Sequence, residues 1–184
     1  MSDRSLNPRG LNAQVLSDTS GRLAGAWPLS GMTRLHDSLH GEPTEAQVDW
    51  SAQGSPLPAV GGPPGVWLHL QASVPVVLQC QRCLQAVAQN LVVDRHFRFV
   101  RSAHEAERLD ETADEDVLVL VPRLDLHELL EDELILALPL VPRHPGPCPA
   151  PLPQPADALS APAAAPNPFA ALAALRAERK NGQG

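Results

Sequence analysis

Apolar and polar positions change period several times along the chain, and each change marks an element. Residues 1–20 show no period, which predicts a flexible N-terminal segment, or an edge strand at most. In residues 29–39 the spacing turns helical, with Met32, Leu35 and Leu39 on one side, Ser30 placed as a cap and Gly41 as a stop. The period then becomes two: Ala46, Val48, Trp50 and Ala52 alternate with polar residues and predict a half-buried strand. A Pro/Gly loop, Gly54 to Gly65, separates it from a second alternating run with Val66, Leu68, Leu70 and Ala72 inward, so the two strands are expected to pair antiparallel. A third strand follows at 74–80, with Pro75 near its start or on an edge. The fourth, 91–100, places Leu91, Val93, Phe97 and Phe99 on one face, interrupted by Arg95. An acidic loop, 104–116, precedes a short apolar strand that Pro122 ends.

Residues 125–138 are the clearest helix. Asp125 and Glu128 resemble a capping box, Leu126, Leu129, Leu130, Leu134, Ala137 and Leu138 form the buried stripe, and Glu128, Glu131 and Asp132 are expected to face solvent. Pro139 ends it, and eleven of the twenty prolines lie between 139 and 168, interleaved with alanine. That composition reads as a disordered Pro/Ala tether. In the segment 167–181 beyond it, Asn167 can cap a short helix, Pro168 suits its first position, and Phe169, Leu172 and Leu175 recur at helical spacing. Such a helix either docks on a partner or folds back on its own domain. The expected organisation is a flexible segment 1–20, a core domain 21–145, a linker 146–166 and a docking segment 167–181. The fold class is α+β: a mainly antiparallel sheet or partly open barrel, with one long and one short helix, plus the disordered C-terminal tether.

Composition narrows the function. Aromatic residues make up 3%, so Leu, Val and Ala must build the core. No apolar run reaches the roughly 20 residues of a membrane span, and the first residues lack the apolar stretch of a secretory signal. Three cysteines fit reduced thiols in the cytoplasm better than a disulfide framework. The net charge is −7, and acids outnumber the single base Arg123 ten to one between Asp110 and Glu133. Long-range attraction to a phosphate backbone is therefore not expected, although the clustered acids would attract a basic protein. Any nucleic-acid contact falls to Arg82, Arg95, Arg98 and Arg101, and these do not form one stripe along the predicted strand.

Cys80 and Cys83 form a C-x-x-C pair, and Cys148 follows His144 by four residues. Three readings stay open. The four residues could hold a structural zinc, assembled as such sites usually are from two local pairs. The pair could instead run thiol redox chemistry, although no helix N-terminus in a βαβ setting lies beside it. Or the cysteines could simply pack as small apolar residues. Elsewhere no phosphate loop, nucleophile elbow or H-E-x-x-H run occurs, and GGPPG lacks the lysine a phosphate cradle needs. His127 with Glu128, Glu131 and Asp132 reads as a capped helix with a solvated acidic face. His36, His40, His69, His96 and His104 are scattered, with no pairing readable.

In order, CQRCL, an acidic spacer, DLHELLEDELILALPLVPRH, a late cysteine and NPFAAL resemble the bacterial large ribosomal RNA subunit accumulation protein family, YceD. The resemblance runs from about Arg22 to Lys180. It implies a cytoplasmic, non-enzymatic factor for 23S ribosomal RNA accumulation, acting on the large-subunit precursor through RNA or through ribosomal or assembly proteins. It supplies no catalytic residue and no certain cofactor. The remaining alternatives are a C-x-x-C redox protein and a zinc-dependent binding module. Asn167, Pro168, Phe169 and Leu172 join the four arginines as candidate RNA or partner contacts.

Overall fold

Strands β1 (Arg22–Pro28), β2 (Gln47–Leu57), β3 (Gly65–Gln79), β4 (Ala86–Val100) and β5 (Asp116–Val119) lie side by side in chain order in one open sheet. The computed structural model describes residues 6–41, 45–57, 65–111, 113 and 115–149. The first four strands pair antiparallel, and β5 runs parallel to the end of β4. A parallel neighbour needs a crossover. It is supplied by helix α3 (Ala103–Asp110), which Ser102 caps by accepting from the Glu105 backbone N–H. The sequence predicts only an acidic loop here, because a mostly polar helix has no apolar stripe to announce it.

The strands at 66–72 and 74–80 are one. Every even-numbered residue of β3 from Val66 to Leu78 is buried, so the alternation continues through Pro75. Pro75 sits past Ser73, the last β3 residue with a β2 partner, where its missing N–H is tolerated. On β4 the inward residues Val87, Leu91, Val93, Phe97 and Phe99 meet the β3 set in register. The opposite face of the sheet is polar, pairing Trp67, His69 and Gln71 with Arg98, His96 and Asp94.

Helices cover the apolar face. The N-terminal segment, expected to be flexible, contributes helix α1 (Ala13–Asp18), which Asn12 caps at the Val15 N–H. Leu11, Ala13 and Leu16 are buried, and Leu11 exchanges two backbone hydrogen bonds with Leu124. Six helical residues are too few to display a period. The backbone of α1 rests on Gly54, where an added Cβ would stand 2.4 Å from the Leu16 carbonyl oxygen.

The expected helix over 29–39 is broken into a 3-10 turn, Leu29–Gly31, and a single helical turn α2 (Thr33–His36). Ser30 caps neither. Helix α4 (Leu126–Leu136) begins as predicted, with the Asp125 carboxylate accepting from the backbone of His127 and Glu128. Its Leu126, Leu130 and Leu134 are fully buried, each contributing roughly 1.5–3 kcal/mol of transfer free energy. Glu131 departs from the expected solvent face and is buried against α2. Among the described residues no helix is long and apolar enough to cross a membrane. The linker beyond Pro149 and the segment 167–181, with Asn167, Pro168, Phe169 and Leu172, lie outside the described residues.

Candidate metal centre

The β3–β4 hairpin closes through residues 80–85. The Cys80 N–H donates to the Gln85 carbonyl, and the Leu84 N–H returns to the Cys80 carbonyl at 2.8 Å. This tight reversal places Leu84 at φ 61, a left-handed conformation that costs a branched side chain about 1–3 kcal/mol. Its result is that both thiols turn inward and are buried, while Gln81, Arg82 and Leu84 face solvent.

The chain after α4 comes back to this loop. The Gln81 N–H donates to the Pro142 carbonyl at 2.9 Å, and the Arg82 guanidinium donates to the Gly146 carbonyl at 2.6 Å. The proline-rich sequence predicts an extended tether from residue 146, yet Gly146 is held on the hairpin. Proline lacks an N–H donor but keeps its carbonyl, and the loop bonds to carbonyls.

His144 completes the arrangement. Its Nε2 lies 3.1 Å from the Ala86 carbonyl oxygen, which can only accept, so Nε2 carries the proton. That leaves the Nδ1 lone pair facing the Cys83 sulfur at 3.7 Å. A tetrahedral zinc with bonds of about 2.3 Å to sulfur and 2.05 Å to nitrogen requires an S···N separation near 3.6 Å. A backbone carbonyl that fixes the ring through its second nitrogen is the usual outer support of a metal-binding histidine. Cys80, Cys83 and His144 offer ligand atoms within 4.8 Å of one another. Burial alone would raise the Cys80 thiol. Backbone N–H groups of Arg82, Cys83 and His144 outweigh it and bring the thiol down to about 5. Two sulfurs and one imidazole are ligands of the kind zinc takes.

The other candidates scatter. Arg95 falls at an apolar register position opposite Leu70 and is paired with Asp116 at 2.7 Å and Glu133 at 3.4 Å. Burial pushes the Glu133 carboxyl up, against the pull of Arg95. Arg98 is on the polar face with its guanidinium 5.8 Å from the Trp67 ring centre, and Arg101 is exposed beyond it. The four arginines thus occupy three different places. His127 is buried with its ring edge-on to Trp27 at 4.9 Å, and burial followed by the charge of Arg9 holds its pKa down. It is a core residue, not part of a solvated acidic face. His69 and His96, which look isolated in the sequence, are direct cross-strand partners.

An open, largely antiparallel α+β sheet whose hairpin tip carries two cysteines and a histidine defines the class structurally: a small domain with a candidate structural metal centre. Comparison with known proteins makes the assignment specific. Residues 68–176, more than half of the chain, match the family described as Large ribosomal RNA subunit accumulation protein YceD. A curated relative of that name from Haemophilus influenzae is 30% identical over 136 residues, covering 73% of this chain and 75% of the relative. No solved structure matches. The chain belongs to the YceD family.

Proposed function

We propose that the protein is a non-catalytic cytoplasmic factor that supports accumulation of 23S ribosomal RNA by binding a precursor of the large ribosomal subunit. The observation that carries this reading is family membership over most of the chain. Among the four arginines suggested by the sequence, Arg101 is exposed, and Arg98 is held only loosely, 3.7 Å from Glu115. Arg98 lies beside the partly exposed Trp67 ring, and such a pair can stack on an unpaired base. Arg95 is committed to Asp116 and Glu133.

Within this reading Cys80, Cys83, His144 and Cys148 hold a structural zinc. Bound there, zinc would clamp the hairpin tip to the chain after α4 and leave no open coordination position. The thiol-redox reading fits less well, because the pair occupies a hairpin loop and shares its space with an imidazole aimed at Cys83.

The test is deletion of the gene, with 23S measured against 16S RNA and gradient fractions probed for the protein. The expected result is a fall in 23S RNA and co-sedimentation with large-subunit precursors. Wild-type 23S levels in the deletion strain would overturn the proposal. Elemental analysis of the purified chain addresses the centre separately, with one zinc per chain expected.

A further inference from the structure

Far along the sheet from the thiols, the polar face carries a second group of metal-ligating side chains. His69 on β3 and His96 on β4 face each other in register, their rings parallel within 6° and 4.0 Å apart. Asp94 lies two residues before His96 on the same face, with one carboxylate oxygen 2.5 Å from His69 Nε2. The other oxygen is approached by the Gln71 amide at 3.4 Å. The three side chains offer two ring nitrogens and one oxygen within 4.8 Å of one another.

We propose that His69, Asp94 and His96 form a second metal site, for a divalent first-row transition ion of the zinc, nickel or copper kind. Imidazole nitrogens with a single carboxylate select these ions over calcium or magnesium, which prefer all-oxygen shells. The rings are close but stacked, so one must turn for two nitrogens, each about 2.05 Å from one tetrahedral ion, to come to about 3.3 Å apart. Both strands are internal to the sheet and paired along this stretch, so the ligands stand on rigid backbone. The ion would replace the proton shared between His69 and Asp94, while Gln71 steadies the carboxylate from outside the coordination shell.

The site differs in kind from the thiol centre. Among the described residues three protein ligands converge, and His69 and Asp94 are 30% and 59% exposed, so the remaining positions open to solvent. They also border a cavity of about 320 Å3 lined by Trp67, Asp94, Arg95, His96, Glu115 and Asp116. An ion held here would present its free positions to an oxygen ligand in that cleft.

The experiment titrates Ni2+ by calorimetry into the full chain loaded with a single equivalent of zinc, enough to fill the thiol centre and leave the second group empty. One additional Ni2+ per chain is expected. His96→Ala, His69→Gln and Asp94→Asn should each weaken it at least tenfold, and His104→Ala, at an exposed position outside the group, should leave it unchanged. Cu2+ bound to the same protein should show hyperfine coupling to two imidazole nitrogens, reduced to one by either histidine substitution. Because all three side chains stand on the polar face, the variants should unfold at nearly the wild-type temperature, which separates ligand loss from misfolding. Failure to bind Ni2+, or an unchanged isotherm in the His69/His96 double variant, would overturn the site and leave the ribosomal reading untouched.

Discussion

Glu131 caps the helical turn that carries Arg34 from 97 residues away. One of its carboxylate oxygens accepts the backbone N–H groups of Arg34 and Leu35, at 2.7 and 3.2 Å, and the other accepts the Arg34 guanidinium. A four-residue helix with no side-chain cap of its own thereby gains one from α4. Glu131→Ala should leave two backbone donors, one of them buried, without this acceptor and cost about 1–3 kcal/mol, read from urea unfolding. Glu131→Gln, which keeps an acceptor, should cost less.

The same carboxylate predicts a pH dependence. Burial opposes its ionisation, but the N–H groups of Leu35 and Arg34 and the Arg34 side chain win and hold its pKa below the ordinary 4.5. A depressed carboxyl contributes stability that is fully present above its unfolded value and lost as pH falls through its folded one. Unfolding curves measured from pH 6 downward, with pH 6 chosen as roughly the top of that window, should show an acid limb that flattens in Glu131→Gln. Glu133 works in the opposite sense: its raised pKa favours the fold at low pH, so removing it should steepen that limb.

Gly54 is required by proximity, not by conformation. Its absent Cβ would meet the Leu16 and Ser17 backbone at 2.4 to 2.6 Å, and backbone cannot rotate away. Gly54→Ala should lift α1 from the sheet and cost about 1–3 kcal/mol as overpacking. Gly25→Ala meets only the Trp50 ring, at 3.2 Å, and should cost less in the same thermal melt.

Removing metal from the thiol centre should loosen one region and spare the rest. The Gln81 amide depends on the returning chain through Pro142, whereas Leu70 lies inside the paired sheet. With a strong chelator, hydrogen exchange should accelerate at Gln81 and Leu84 and stay slow at Leu70. Arg82→Ala, which deletes the bond to Gly146, should speed zinc loss to the chelator several-fold. Equal exchange with and without chelator would show that hydrogen bonds alone hold the tip.

Arg95 and Arg101 should separate stability from binding. Arg95→Ala strips a partner from the nearly buried Glu133 and should lower stability by about 1–3 kcal/mol. Arg101→Ala should leave the melting temperature unchanged while weakening association with large-subunit precursors. Reversed outcomes for the two variants would reassign the contact surface.

Much of the fold was legible because burial writes a period into the sequence. The alternation from Val66 to Leu78 and the stripe Leu126–Leu130–Leu134 predict β3 and α4, and Asp125 marks where α4 begins. Elements too short or too polar to show a period were not legible: α1 has six residues, and α3 buries no full stripe. Pro75 splits β3 in the sequence but not in the sheet, because that position lies beyond the last β2 pair.

The sequence by itself determined which residues carry chemistry and which face of each strand is apolar, since both follow from side-chain type and local spacing. It named Cys80, Cys83, His144 and Cys148 as one candidate set, but could not supply the return of the chain after α4 that brings His144 to the hairpin. It left Arg95 as a candidate contact and Glu131 as a solvent-facing acid, and tertiary packing assigned both to ion pairs. His69, Asp94 and His96 are brought together only by the register of β3 on β4. Register and long-range return depend on how distant apolar faces meet, and no local window of sequence contains that information.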